Sequence, residues 1–302
     1  MLRGSCFGSE SVNFFKWVGC MFLLIGYVIV VGSIVGGFML ENGNPLMLWQ
    51  PAELLIILGA GLGAFLGAQT KYSGRLLLQS LKRLFKDPGI GKAQYLEMLA
   101  LLFFIFNKMN RDGPLSMEQD IEKPENSAMF GKYPSIAAKP RVVNFIADTL
   151  RVYITTGDQG EIESLMKLDM HVSLEEDLTP AHSITHMAES LPGMGIVAAV
   201  MGVVLTMSMI NEPPEILGAH IGAALVGTFT GILFCYGIFG PMGEKLEIFA
   251  NEEHFYYNAI KEAMAASLRG ASPLIAVEYG RRSIPQGHRP AFAEMEEYVR
   301  KG

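Results

Sequence analysis

Two long stretches of the chain contain neither lysine nor arginine. They lie between Lys16 and Lys71 and between Lys167 and Lys245, and each holds glycine-rich apolar runs. Water-exposed surface of that length normally carries cations, so the pattern predicts two pairs of helices in lipid. The composition agrees, because only 18% of the 302 residues are charged, against about 25% in a typical soluble protein. The net charge of −6 argues against a nucleic-acid-binding protein.

Four segments have the composition of membrane spans, each of which needs about 20 mostly apolar residues. They are Met21–Leu40, Ala52–Ala68, Leu191–Ile210 and Ile216–Phe239. The second is short, and we expect Leu46–Trp49 to extend its apolar length. The sequence therefore predicts a polytopic membrane protein with four transmembrane helices in two hairpins.

The distribution of cations predicts the orientation of these spans. The links within the hairpins have none, whereas residues 70–190 contain fourteen Lys and Arg and residues 242–302 contain eight. By the positive-inside rule these two segments, and both termini, are cytoplasmic. The predicted domains are an N-terminal extension (1–20), the first hairpin (21–69), a cytoplasmic helical domain (70–190), the second hairpin (191–241) and a cytoplasmic helical tail (242–302). A signal peptide is the alternative for residues 1–20, but no small-residue cleavage site is followed by a soluble domain.

The parts outside the spans are predicted to be helical, which makes the fold all-α. No run alternates with strand periodicity over more than a few residues. The apolar run Leu96–Phe106 contains Glu97 and is too short to span a bilayer, so we expect the buried face of a cytoplasmic helix. The third and fourth spans should continue into the cytoplasm as long helices, with Pro180 as the only breaker before Leu191.

The spans are poor in groups that could bind an ion. The third and fourth contain no Asp, Glu, Lys or Arg, and His220 is their one histidine. Proton and sodium carriers normally use an intramembrane carboxylate. Glu53 is the one candidate in the first hairpin, but it follows Pro51 at the predicted outer edge, and a direct ion role is the less favoured interpretation. If this chain moves ions, another polypeptide is predicted to supply the acid.

Small and helix-distorting residues recur in the spans. Glycines at i, i+4 spacing favour close helix packing, within the chain and with further spans. Thr228 lies mid-span between glycines, where it could line a polar path or bond to its own backbone. Pro192 and Pro241 lie at the predicted cytoplasmic ends of the third and fourth spans, where each could form a hinge or simply end a helix. The glycines concerned are Gly32 and Gly36; Gly59, Gly63 and Gly67; Gly218 and Gly222; and Gly227 and Gly231.

Catalytic and metal-binding patterns are absent from the sequence. There is no nucleophile–base pair, phosphate loop or CxxC spacing, so we expect no enzyme, no metal site and no cofactor. The histidines outside the spans lack a matching ligand set, and the cysteines are best explained as small hydrophobic residues. These residues are His171, His182 and His186, and Cys6, Cys20 and Cys235.

Several runs, in order, resemble the MotA/PomA family of flagellar stator subunits from Met21 to about Arg300. They are QPAELLIILGAGLGAF, SMEQDIEKP, SLPGMGIVAAVMGVV, GAALVGTFTGILFCYGIFGP and PLIAVEYGRR…HRPAFAEMEEYVR. The resemblance implies a motility and chemotaxis protein of the bacterial inner membrane. It also implies a pentameric ring around two copies of a MotB-like partner, whose aspartate binds the ion. Ion flow would move the ring, and charges in residues 70–190 would push on the rotor protein FliG.

The resemblance also assigns roles to particular residues. Glu118 matches the family's rotor-facing glutamate, whereas the position of the matching arginine aligns with Asn110, which leaves the adjacent Arg111 for that role. Pro192 and Pro241 match the two functional prolines.

The same resemblance addresses the pore and the ion. Thr228 matches the pore threonine of the fourth span. Sodium-driven relatives have a threonine where this chain has Ala199, and an alanine side chain offers no oxygen ligand to a dehydrated cation. We therefore predict proton coupling.

Two other functions compete with a stator. An energiser of outer-membrane transport of the ExbB or TolQ type is disfavoured by the four spans and the tail motif, because those relatives resemble three-span proteins. A membrane scaffold without ion flux is the second alternative. Substitution of Thr228, Pro192 or Pro241 would then leave swimming unchanged.

Overall fold

The computed structural model describes residues 10–84 and 90–301. Across these ranges all regular structure is helical and no strand occurs, which confirms the all-α prediction. In chain order the α-helices are α1 (Glu10–Leu40), α2 (Pro51–Ala68), α3 (Lys71–Leu84), α4 (Lys92–Asp112), α5 (Glu118–Glu122), α6 (Ala128–Gly131), α7 (Pro134–Ala137), α8 (Pro140–Thr156), α9 (Gln159–Ser208), α10 (Pro214–Leu233), α11 (Gly240–Leu268), α12 (Pro273–Ser283) and α13 (Phe292–Lys301).

The chain divides into two compact units. The first, which we call the membrane unit, comprises Met1–Pro88 and Asp177–Ile248, and the second unit comprises Gly89–Glu176 and Phe249–Gly302. Helices α9 and α11 each contribute residues to both units.

Four helical stretches are long and apolar enough to cross a membrane, as predicted. They are Met21–Leu40, Pro45–Ala68, and parts of Gln159–Ser208 and Pro214–Leu268. The second begins with a 3₁₀ turn over Pro45–Leu48, so the extension expected there is present but not α-helical. Helix α1 begins at Glu10 rather than at Met21, and residues 1–9 of the predicted N-terminal extension lie outside the described residues.

The prolines interrupt the long helices less than expected. Helix α9 runs for 50 residues through both Pro180 and Pro192, so neither ends it. Pro241 is the second residue of α11, but the helix runs without a break from Pro214 to Leu268, so Pro241 stands inside it and its missing N–H removes one backbone hydrogen bond. Before it, Phe234–Phe239 is π-helical, an irregularity that sequence periodicity did not predict.

The second unit is built on α4, as the apolar run in that helix predicted. Leu99, Leu102 and Ile105 are fully buried in its core. Tyr95 packs on Tyr256 of α11, with ring centroids 5.3 Å apart. Burial raises the pKa of Tyr95 to about 12, which keeps this phenol neutral.

The tail motif EYGRR has a structural role in this unit. Arg281 Nε and Nη2 donate to Glu278 Oε2 and Oε1 at 2.6 and 2.7 Å, and Arg281 Nη1 donates to the Pro290 carbonyl at 2.9 Å. The hydrogen bonds from Arg281 lower the pKa of Glu278 despite its burial. A β-carbon on Gly280 would lie 2.9 Å from the Ala259 carbonyl oxygen, so glycine lets α12 pack closely on α11. The motif therefore fastens the C-terminal segment to the core.

Candidate functional site

Helices α9 and α10 touch backbone to backbone. A β-carbon on Gly231 would lie 2.6 Å from the Leu191 carbonyl oxygen and 3.0 Å from Gly195 Cα. One on Gly195 would lie 3.0 Å from the Gly227 carbonyl oxygen. Real side chains essentially never approach backbone within 3.0 Å, so Gly231 requires glycine, and the space at Gly195 is tighter than most β-carbons accept. The predicted small face of Gly227 and Gly231 thus forms the contact between the third and fourth spans.

The other predicted glycine faces have no such contact with the described residues. A β-carbon on any of them would meet no atom within 4 Å beyond its own helix. Helix α2 instead uses Gly61, where a β-carbon would lie 2.7 Å from Leu191 Cδ2. Leu191, fully buried, therefore contacts both α2 and α10. The open glycines are Gly32, Gly36, Gly59, Gly63, Gly67, Gly218 and Gly222.

Glu53 is buried where these three helices meet. The residue is 8% exposed, although its place near the predicted outer edge suggested a shallow position. A β-carbon added to Gly227 would stand 2.8 Å from Glu53 Oε2. A β-carbon added to Gly202 would stand 3.7 Å from Glu53 Oε1. No hydrogen-bond partner reaches Oε2. Sequence reasoning identified the residue but not its burial, which depends on two helices far away in the chain.

The two predicted pore residues lie at the edge of the α9–α10 contact. Ala199 and Thr228 are each half-buried, whereas the adjoining Ala198 and Gly227 are buried. A β-carbon on Gly227 would stand 3.3 Å from Ala198 Cβ, so these neighbours occupy the packed positions. A β-carbon added to Gly195 would lie 3.3 Å from Thr228 Cα, so Gly195 faces the backbone of Thr228. Ala199 and Thr228 therefore lie next to the packed positions of the α9–α10 contact and remain partly exposed.

The two predicted hinge prolines lie beside irregular or closely packed backbone. Pro192 follows Leu191, the residue that contacts both neighbouring spans. Pro241 follows the π-helical segment, in which the Ile238 carbonyl accepts a hydrogen bond of 2.8 Å from the Tyr27 hydroxyl of α1. Short π-helical segments are rare and occur often at functional sites. The Gly240-Pro241 dipeptide was the only sequence signal for this distortion.

The predicted rotor-contact residues lie close in sequence at one end of α4. Arg111 is in the last turn of α4, and Glu118 begins α5 after a 3₁₀ turn over Pro114–Met117. The Arg111 side chain is 81% exposed and donates from Nε and Nη2 to both Asp112 oxygens at 2.9 Å. This pairing raises the pKa of Arg111 and lowers that of Asp112. Sequence reasoning missed Asp112 as the partner of this arginine.

A second ion pair, between Lys108 of α4 and Asp120 of α5, holds these two helices together. Lys108 Nζ lies 2.7 Å from Asp120 Oδ2, and the Ser127 hydroxyl donates to Asp120 Oδ1 at 2.6 Å. Burial raises the pKa of Asp120, but these two donors outweigh it and leave the pKa below its usual value. Lys108 and Arg111 also line an open groove of about 710 Å³ with Phe104 and Lys132. The groove also contains Asp120, so the concave surface that carries Arg111 presents three basic side chains and one carboxylate.

Metal chemistry finds no support in the described part of the chain. It contains no group of three or more His, Cys, Asp or Glu side chains placed to hold an ion.

Comparison with known proteins decides the family. The family model described as "Motility protein A N-terminal" matches residues 24–113, and that of the "MotA/TolQ/ExbB proton channel family" matches residues 139–259. Motility protein A of Escherichia coli (strain K12) is 40% identical over 281 residues, which cover 93% of this chain and 95% of the relative. The chain belongs to the motility protein A family. Chemotaxis protein LafT of Vibrio parahaemolyticus is 31% identical over 91% of this chain and 97% of its own length.

Solved structures share the fold of this motility protein A family member. C. jejuni MotAB matches with a TM-score of 0.72 and 24% identity, over 88% of this chain and 96% of the other. The flagellar MotAB stator complex from Bacillus subtilis matches with a TM-score of 0.63 and 20% identity, over 84% and 92%.

Family membership settles several predictions. The chain is an inner-membrane protein of the stator and proton-channel class, and the prediction that it is not an enzyme is confirmed. The match to the motility protein A N-terminal region removes the outer-membrane energiser alternative.

Proposed function

We propose that this chain is the channel and torque subunit of a flagellar stator and acts with a MotB-like partner. The observation that carries the proposal is the chemistry of the third and fourth spans. Apart from His220, these spans hold no titratable side chain of the kind that carries ions, and they are fixed to each other through glycine. The aspartate that binds the ion must then come from the partner.

Self-association as a pentameric ring around two partner copies is part of this proposal. Seven glycines of α1, α2 and α10 keep open surface, and small open faces suit packing against further membrane helices. Lipid covers the remaining apolar surface. The cation distribution favours cytoplasmic termini.

Proton coupling, without any cofactor, is the ion specificity we propose. Ala199 adds no oxygen ligand beside Thr228. Swimming should continue when potassium replaces sodium at constant proton-motive force. If motility stops under those conditions, the transported ion is sodium.

Arg111 and Glu118 are proposed to contact FliG. Both are exposed, and Arg111 lines the open groove. Glu118→Lys should abolish swimming while leaving membrane insertion intact. Glu122→Lys, the same charge reversal at an exposed position of α5, is the matched control and should swim. Equal loss in both variants would show that the helix tolerates no reversal and that Glu118 has no special role.

Proton uptake into membrane vesicles tests the channel itself. The chain should conduct only when co-expressed with a MotB-like partner, and replacing the partner's aspartate by asparagine should stop conduction. Substitutions of Pro192, Pro241 and Thr228 should lower both uptake and swimming. Conduction by the chain alone would refute the proposal, and unchanged swimming in all three variants would favour the scaffold alternative.

A further inference from the structure

The carboxyl group of Glu53 is enclosed by apolar parts of three helices. It belongs to the first turn of α2 and points between Gly202 of α9 and Gly227 of α10, with Ala198 beside Gly227. A side chain larger than hydrogen at Gly227 would collide with Oε2, since the notional β-carbon stands 2.8 Å away. The two glycines thus create the space that the carboxyl group occupies.

The usual structural explanation for an acid at this position does not account for it. A glutamate in the first turn of a helix commonly bonds to free backbone N–H groups there. Here Gln50 is the N-cap and makes no side-chain capping bond, and Glu53 Oε2 has no hydrogen-bond partner among the described residues. A buried polar atom without a partner is rare and calls for another explanation.

Neutralisation by a protein cation is also excluded by the sequence of the packed helices. The third span, Leu191–Ile210, has no titratable side chain, and the first and second spans and the links beside them contain no Lys or Arg. On α10 the titratable groups are Glu215, which is exposed, and His220, which is half-buried. An ionised carboxylate without a partner is very costly in such surroundings, and a proton is the smallest cation that would remove this cost.

We propose that Glu53 is a proton-binding site of this chain, additional to the partner's aspartate; the inference rests on the proposed function. A hydronium ion gives its proton to Oε2, which forms a neutral carboxylic acid and releases water. The O–H bond breaks again when the proton passes to the next water or carboxylate, and the ionised group is restored. No oxidation or reduction is involved. Thr206 donates its hydroxyl hydrogen to the Gly202 carbonyl at 2.8 Å and therefore offers no donor to the ionised Glu53.

The test uses the complete complex with its partner and compares Glu53→Gln with Glu41→Gln. The amide has the shape of the neutral acid, so E53Q should assemble normally but lose proton uptake and swimming severalfold. Glu41 is the other acid of the first hairpin and is exposed, so E41Q should behave as wild type. Glu53→Asp, which keeps an acid on a shorter side chain, should retain part of the flux.

Infrared spectroscopy gives a second readout that does not depend on activity. In a complex whose partner aspartate is replaced by asparagine, a protonated-carboxyl band should titrate with pH, shift in deuterium oxide and vanish with E53Q. Normal flux in E53Q and no Glu53-dependent band would refute the inference. Flux that needs sodium and loses this need in E53Q would identify sodium as the ligand and also overturn it. A wild-type complex that shows no partner-dependent conduction would instead refute the proposed function.

Discussion

Replacing Gly231 by alanine tests the backbone contact on which the second hairpin depends. The new β-carbon would stand 2.6 Å from the Leu191 carbonyl oxygen, about 0.8 Å short of an ordinary contact at 3.4 Å. The obstructing atoms are backbone and cannot rotate away, so α9 and α10 must separate. Overpacking of this kind costs about 1–3 kcal/mol. The higher helix propensity of alanine returns about 1 kcal/mol.

The expected net loss against wild type is therefore up to about 2 kcal/mol, and against a variant that gains the same helix propensity without a collision it is about 1–3 kcal/mol, which lowers the Tm by a few degrees. The assay is thermal unfolding of the chain purified in mild detergent, together with swimming of cells that carry the variant. Gly218→Ala is the matched control, because it lies on the same helix and its β-carbon would meet no atom within 4 Å. A Tm for G231A equal to that of G218A would refute the helix contact described above.

Three further substitutions follow from particular contacts. Glu278→Gln weakens the ion pair with the half-buried Arg281 and should cost about 1.5–3 kcal/mol in the free energy of unfolding, measured with urea. Because the folded pKa of Glu278 is lowered, the stabilisation exists above its unfolded pKa and disappears as the pH falls through the folded value. Acid should therefore destabilise wild type more than E278Q. Gly243→Ala would place a β-carbon 2.5 Å from Thr185 Oγ1, so it should lower thermal stability, and adding Thr185→Ala should restore it. Tyr27→Phe removes the hydrogen bond to the π-helical segment and should lower the free energy of unfolding by about 0.6–1 kcal/mol, seen as a lower Tm. Membrane insertion should be unimpaired.

The spans were predictable because lipid restricts composition directly. Each membrane helix must be about 20 apolar residues long, and cations collect on one side, so both signals can be found without knowing any contact. The same holds for the apolar face of α4, whose buried residues follow helical spacing. These features depend on local sequence alone.

Contacts between distant helices were not predictable in the same way. Glycine spacing marked Gly227 and Gly231 together with seven glycines at which a β-carbon would meet no described atom within 4 Å, and it missed Gly61. Which glycine face is used depends on the rotation of each helix, which a single sequence does not encode locally. The burial of Glu53 was not predicted for the same reason, because the residues that enclose it lie more than a hundred positions away in the sequence.

The glycine contact also explains where the second hairpin can bend. Gly195 faces Gly231, Ala198 faces Gly227 and Gly202 faces Ala224, so the two helices remain in one antiparallel register over two turns. This stretch should move as one body, because any relative sliding forces backbone against β-carbons. The missing N–H of Pro192 weakens α9 on the N-terminal side of this stretch, and the π-helical segment distorts the fourth span just after Gly231. Both weak points therefore lie at the same end of the hairpin, and we expect flexing there rather than in the packed stretch.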